Sequence, residues 1–354
     1  MMMLIAAGIV ISTLILNFGF IVKDINSEVD ISASDKNNSG MVLGVEENSQ
    51  EADSNIFLEF PEDVRGKIEG ITADIISLLI KDHEKKFNVD ENKEEVPINK
   101  VVNSNEVEII AKSGAIISLN DSTLLFSKDA YKEFPIASIT KLMTALVFLD
   151  NNPGWDEIYE IKKEDRRDGG KVYLFWGEKV KIKDLFYLSL VGSANTATIA
   201  LVKSTGLTEE EFVEKMNNKS AQLGFKNTYF KDSTGLDAGN VSSAYEVSLL
   251  AKAALSFKDI RKATITKEYS FNTLGQRKVY VHTTDYLLDN FSPNDINIIG
   301  GKTGYTEAAG YCFVGEFIGK DDFEVVSAIL GSESGNGRFT QTRELVEWAY
   351  NNYR

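Results

Sequence analysis

The chain has 354 residues and a formal net charge of −15, long enough for one large domain or two smaller ones. That acidity argues against nucleic acid as a partner and against docking on anionic lipid headgroups. A single cysteine, Cys312, excludes an internal disulfide and a thiolate zinc cluster, and two histidines leave little material for a Ser-His-Asp triad or a histidine zinc site. Of these, His83 lies in the charged run Lys81–Lys86 and reads as part of a solvated face, while His282 ends a strand-like stretch. Cys312 sits in the apolar run Gly310–Val314 and reads as a small buried hydrophobe. No metal and no cofactor is expected.

The first 22 residues carry no charge, and Met3–Val22 is long enough to span a bilayer as a helix. An uncleaved anchor over 1–23 is preferred to a cleaved signal, since neither a basic start nor a clear small-x-small site frames the apolar run. Residues 24–105 read as an acidic linker interrupted by a helix over 61–87. Within that helix Val64, Ile68, Ile71, Ile75 and Leu78 share one face, which suits either a self-association stalk or a helix packed on the main domain.

A compact domain is expected over 106–354. Val107–Ala111 and Gly114–Leu119 read as strand, and Thr123–Phe126 returns after an Asn120-Asp121-Ser122 turn. Helices follow over Ile139–Leu149, Lys183–Val191 and Thr196–Val202. Thr208 with Glu211, and Ser243 with Glu246, form capping boxes that start two more, the first ending near Gly224 and the second running to about Ala254. Strands resume at Lys267–Asn272, Lys278–His282, Gly310–Ile318 and Phe323–Leu330, and a last helix runs from about Thr340 to Tyr350. The order predicts an α/β (α+β) domain with one antiparallel sheet covered by its first and last helices.

Three short motifs carry chemistry. Ser138-Ile139-Thr140-Lys141 opens a helix after Pro135, so Ser138 falls in or just before the first turn, where backbone N–H groups are free and the dipole favours negative charge. Lys141 projects from the same face; burial and a second cation would lower its pKa from about 10.4 far enough to accept the serine proton. Ser193-Ala194-Asn195 lies between two helices, where hydroxyl and amide can point into one cleft as a proton relay and a clamp, or simply cap the second helix. Lys302-Thr303-Gly304 reads as an edge strand bringing a cation and a hydroxyl to a substrate carboxylate. Gly304 permits close approach, and the Tyr305 N–H joins that of Ser138 as an oxyanion hole. The frame of a phosphate loop is absent, since Ile296 stands where its first glycine would be.

Taken singly these spacings are common; in this order they form a kit for acyl transfer through a serine ester. From about Glu106 onward the chain resembles the serine D-alanyl-D-alanine carboxypeptidases, the low-molecular-mass penicillin-binding proteins. Pro135–Ala145 looks like that family's nucleophile segment, Gly177-Glu178 with Lys183-Asp184-Leu185 its approach to the second motif, and Ser242–Glu246 a later helix start. Gly301–Thr306 with Ala309-Gly310-Tyr311 is similar to its third motif and following strand.

The resemblance implies a β-lactamase/penicillin-binding transpeptidase-like fold with an all-helical subdomain, and attack by Ser138 between the terminal D-alanines of a peptidoglycan stem peptide. It further implies Lys141 as base, Ser193 and Lys302 returning a proton, Asn195 beside them, Thr303 on the terminal carboxylate, and β-lactam antibiotics as trapping ligands. The catalytic domain would lie outside the cytoplasm, tethered by its N-terminal segment. Ala194 and Thr196 depart from the family's Ser-Gly-Asn-Asp. Three rivals stay open: an endopeptidase, a non-catalytic wall-binding homologue, and a β-lactamase using Glu214 and Asn218, although these two fall inside the capped helix that starts at Thr208.

Overall fold

The computed structural model describes residues 107–291, 296–319 and 322–353. The expected anchor at 1–23 and the helix at 61–87 lie outside the described residues. Among the described residues, no helix is long and apolar enough to cross a membrane.

The chain opens with the hairpin β1 (Ser113–Ser118) and β2 (Leu124–Lys128), then a short β3 (Phe134–Pro135) and a 3-10 turn over Ala137–Thr140 that runs into α1 (Lys141–Asp150). After β4 (Ile158–Glu160) and β5 (Lys179–Lys181) come α2 (Ile182–Val191), α3 (Asn195–Ser204) and α4 (Glu209–Gln222). A short β6 (Val241–Ser242) precedes α5 (Ala244–Leu255) and α6 (Lys258–Thr264). The ribbon β7 (Glu268–Asn272) and β8 (Lys278–His282) and the one-turn α7 (Leu287–Asn290) lead to β9 (Asn297–Thr306), β10 (Gly310–Ile318), β11 (Glu324–Ser332) and α8 (Gly335–Asn352).

Five strands form one antiparallel sheet in the order β2-β1-β11-β10-β9, which leaves β9 at an edge. Alternation along the strands separates two apolar layers. Ala115, Ile117, Val314, Ala328 and Leu330 face the helical layer, where α5 lies against β1, β10 and β11. Ile116, Phe313, Val325 and Ile329 face α8, which supplies Phe339, Leu345, Val346 and Ala349. The last helix therefore covers the sheet as expected. Its opposite face is covered chiefly by α5, because α1 is sunk among α4, α5 and the other helices, with every residue from Lys141 to Phe148 buried.

Three further expectations are corrected. Val107–Ala111 is irregular: Ile110 points into solvent, the Ala111 N–H donates to Gln341 Oε1 (2.7 Å), and Lys128 Nζ donates to the Ile109 carbonyl (2.6 Å). Side chains satisfy backbone groups that a ladder would otherwise take. The strands β7 and β8 pair with each other outside the main sheet, held by Tyr269, which stacks on Tyr187 (4.3 Å) and donates to Asp184 (2.6 Å). The Thr208–Glu211 capping box closes in both directions (3.1 and 2.8 Å). Ser243 accepts from the Glu246 N–H, but the Glu246 carboxylate turns away to the 226–228 turn, so that box is half-formed.

Candidate active site

The 3-10 turn carrying Ser138 is set from both sides. Phe134 and Pro135 pair with β6, and the Ile136 N–H donates to the Asn240 carbonyl (3.0 Å). Ala137 takes a left-handed φ of 47°, a conformation a non-glycine residue adopts only when its surroundings impose it. Ser138 is half-buried at the mouth of this turn. Its backbone nitrogen lies beside β9: a Cβ on Gly304 would stand 3.2 Å from Ser138 N and 2.7 Å from the Ile136 carbonyl oxygen. Only glycine lets the strand edge and the Ser138 turn come this close.

Lys141 is wholly buried, and its Nζ meets Ser138 Oγ at 2.9 Å, Asn195 Oδ1 at 2.8 Å and the Thr234 carbonyl at 2.6 Å. Burial pulls its pKa down to about 7, against a smaller upward pull from Asp232. The amide orientation is consistent, since Asn195 Nδ2 donates to the Gly169 carbonyl at 2.8 Å. Asn195 Oδ1 and the Thr234 carbonyl can only accept. A neutral lysine therefore spends both N–H bonds on them and turns its lone pair to the Ser138 hydroxyl. This is the arrangement a base requires.

Ser193 follows α2 with a left-handed φ of 53°. Gly192 before it is forced, because a Cβ there would lie 2.5 Å from Val281 Cγ2. Ser193 Oγ accepts from Lys302 Nζ (3.0 Å), which also donates to the Thr303 carbonyl (2.9 Å). The Lys302 pKa falls well below its ordinary value, first through burial and then through Lys141 and Arg338, with Asp285 opposing. Thr303 Oγ1 and Thr284 Oγ1 share a hydrogen bond of 2.6 Å. Tyr305 continues the edge strand, half-exposed and stacked on Tyr311 at 4.2 Å. Two chains of contact thus converge: Ser138–Lys141–Asn195 and Ser193–Lys302–Thr303.

Ala194 is the N-cap of α3 and offers no side-chain cap; its N–H donates to the Leu188 carbonyl (3.1 Å). Neither Ser193 nor Asn195 is spent on capping, which leaves both for the cleft. Glu214 and Asn218 line an open groove with Tyr229 and Lys231, and Lys141 Nζ bonds to neither.

Sequence reasoning missed the loop Asp232–Gly235 and Arg338. Asp232 Oδ1 accepts from the N–H groups of Thr234 (2.5 Å) and Gly235 (2.7 Å), folding a tight loop that aims the Thr234 carbonyl at Lys141. Arg338 donates to the carbonyls of Gly304 (3.0 Å) and Cys312 (3.4 Å) and lies against the rings of Tyr311 and Phe339. Ser-Thr-Gly after an Asp is a visible turn signal, but nothing local ties it to Lys141; Arg338 carries no signal beyond its charge.

Comparison with known proteins bears on this geometry. A family profile described as D-alanyl-D-alanine carboxypeptidase (peptidase S11) matches residues 99–334. The chain is similar to the D-alanyl-D-alanine carboxypeptidase DacF of Bacillus subtilis, 30% identical over 69% of this chain and 63% of the relative. It also resembles a D-alanyl-D-alanine endopeptidase of Haemophilus influenzae, 35% identical over 60% of this chain and 71% of the relative. The chain thus spans just under two thirds of the Bacillus protein. In structure it is similar to the Streptomyces K15 DD-transpeptidase, with a TM-score of 0.65, 25% identity, and coverage of 70% of this chain and 99% of that one. With its profile match running across the Ser138 turn, the Ser193 loop and the β9 edge, the chain belongs to the peptidase S11 family, the D-alanyl-D-alanine carboxypeptidases.

Proposed function

We propose that the protein is a serine D,D-carboxypeptidase that removes the terminal D-alanine from peptidoglycan stem peptides through an acyl-serine intermediate. Neutral Lys141 takes the Ser138 proton as Oγ adds to the carbonyl carbon between the two D-alanines. The N–H groups of Ser138 and Tyr305 receive the developing oxyanion. The proton taken by Lys141 is returned through the Ser193 hydroxyl, which Lys302 holds in place, to the departing D-alanine nitrogen as the C–N bond breaks. Thr303, with Lys302 and Arg338, holds the terminal carboxylate. Water then adds to the ester, and Ser138 regains its proton as the shortened peptide leaves. β-Lactams acylate the same oxygen, and Met3–Val22 tethers the domain outside the cytoplasm; the uncharged length of that segment supports the second point.

The observation that carries the reading is the buried Lys141 Nζ set between Ser138 Oγ and two pure acceptors. A labelled penicillin is incubated with wild type and Ser138→Ala, followed by intact mass. One adduct on wild type and none on the variant is expected; no adduct on wild type would sink the enzyme reading. Endopeptidase action on cross-linked stems is the second reading, favoured by the Haemophilus relative. Incubation with a pentapeptide ending in D-Ala-D-Ala and, separately, with a cross-linked dimer separates the two by which one is cut.

A further inference from the structure

Asp285 lies on the far side of the third motif, in the segment that joins β8 to α7. It is 3% exposed. One oxygen, Oδ1, accepts from the Leu287 N–H at 2.9 Å, and the Asp285 N–H donates to Thr283 Oγ1 at 3.1 Å. The other oxygen, Oδ2, is buried without a hydrogen-bond partner. It presses on β9: a Cβ at Gly301 would lie 3.1 Å from it, so the glycine just before Lys302 admits the carboxylate against the strand.

A turn at this position needs one acceptor, which Asn or Ser would supply without a buried charge. A second, unpartnered carboxylate oxygen is costly and calls for a reason. The charges that face it supply one: Lys302 from β9 and Arg338 from α8, with Asp289 of α7 as the like charge. Lys302 meets two further cations, Lys141 and Arg338, and Asp285 is the negative group opposing them. Two of the three Lys302 ammonium hydrogens go to Ser193 Oγ and the Thr303 carbonyl, leaving one for a ligand. A carboxylate behind the strand supports that charge without occupying the hydrogen that a substrate needs.

Resting on the assignment of Lys302 to the substrate carboxylate, we propose that Asp285 is a positioning residue that acts through Lys302, supporting the positive charge of the carboxylate clamp against its burial and its neighbouring cations. Burial pushes the Asp285 carboxyl up to about 7, so its support is present above that pH and fades below it. The same burial makes the ionised carboxylate a burden on the fold. Its folded pKa exceeds the ordinary 3.8, so the burden is absent in acid, grows as pH rises, and is complete above about 7.

The test is Asp285→Asn, which keeps the acceptor for Leu287, with D-Ala release from the pentapeptide followed from pH 5 to 9. The expected KM is near wild type at pH 5.5 and climbs above pH 7 toward a limit of about tenfold, the most that a one-unit fall in the Lys302 pKa can produce, with kcat at saturation changed less than threefold. Thermal unfolding at pH 8 should show the variant as stable as wild type or more so. A purely turn-capping role, which Asn fills equally well, predicts an unchanged pH profile of KM whatever the stability, and that result overturns the proposal. A second test covers a variant that folds poorly. In a Lys302→Arg background the cation stays charged unaided, so adding Asp285→Asn should leave KM at pH 8 within twofold; a full tenfold loss there also overturns it. If wild type forms no penicillin adduct, the enzyme reading fails; if it forms one and Asp285→Asn matches it at every pH, only this inference fails.

Discussion

Replacing Asn195 by Asp tests the role of Lys141 most directly. The change is nearly isosteric and puts a full negative charge where Oδ1 now lies, 2.8 Å from Nζ. At an effective permittivity of about 20 that contact is worth roughly 6 kcal/mol, or about four pH units. Desolvation of the new carboxylate takes back a large part, and paired groups in proteins commonly shift by about one to three units. The Lys141 pKa should therefore rise from about 7 to roughly 8–10, by the same one-to-three-unit rule. At pH 7 the wild-type amine is about half neutral, whereas a lysine titrating near 9 is about 1% neutral, so acylation should fall by roughly 50-fold.

The assay is the second-order rate of Ser138 acylation by a fluorescent penicillin from pH 5 to 10. Wild type should show an acid limb with its midpoint near 7. The variant limb should move to higher pH, with much of the rate recovered by pH 9.5. The lost Nδ2 donor to the Gly169 carbonyl lowers the whole curve but cannot move its midpoint. A curve that drops uniformly with its midpoint still near 7 would refute a neutral Lys141 as the base.

Other expectations follow from separate parts of the site. Gly235→Ala would put a Cβ 1.9 Å from the Ala137 carbonyl oxygen at a φ of 85°; penicillin adduct formation should fall at least about 100-fold and melting temperature should drop, both readable on one preparation. Ser193→Ala removes the oxygen 3.0 Å from Lys302 Nζ and should lower pentapeptide kcat by about 10²-fold, the ordinary worth of a proton relay. Thr303→Val should instead raise KM about tenfold, one hydrogen bond, with kcat largely kept; an equal split in both variants would contradict the separate roles. Glu316, buried on β10 with its carboxyl pushed up to about 7, burdens the fold increasingly as pH rises from about 4.5 to 7. Glu316→Gln should unfold at a higher temperature than wild type at pH 8 and at the same temperature at pH 4.5. A lower value at pH 8 would mean that the Arg261 pair (3.4 Å) outweighs the burial.

Much of the site is legible in the sequence because its chemistry is local. Ser138 and Lys141 are three residues apart, and helical geometry alone brings them together. The alternation in β10 and β11 and the Thr208–Glu211 box are equally local. What stayed hidden depends on backbone carbonyls and on distance. The Thr234 carbonyl reaches Lys141 across 93 residues, and a carbonyl has no residue identity to read. Arg338 reaches the Gly304 carbonyl from the first turn of α8, whose start was placed too late because Gly335 and Gly337 are poor helix formers. Val107–Ala111 reads as strand by composition, yet its partners are side chains of Gln341 and Lys128, which no pattern within the segment announces.

The two lysines show how one fold meets opposite demands with the same residue type. Both are wholly buried, and burial pulls both away from their charged forms. In the proposed mechanism Lys141 gives up its proton between turnovers, and its partners are neutral: a hydroxyl, an amide oxygen and a carbonyl. The nearby Asp232 is occupied within its own loop, its oxygens accepting from Thr234, Gly235 and Asp237, and its pull on Lys141 is smaller than the effect of burial. In the same mechanism Lys302 meets a carboxylate with its charge, and there the structure leaves a carboxylate oxygen unspent, that of Asp285. The motif letters are silent on this difference. It lies in whether the acid behind each lysine has already been used by the backbone, and for that reason Asp232→Asn should disturb the loop and Asp285→Asn the pH profile.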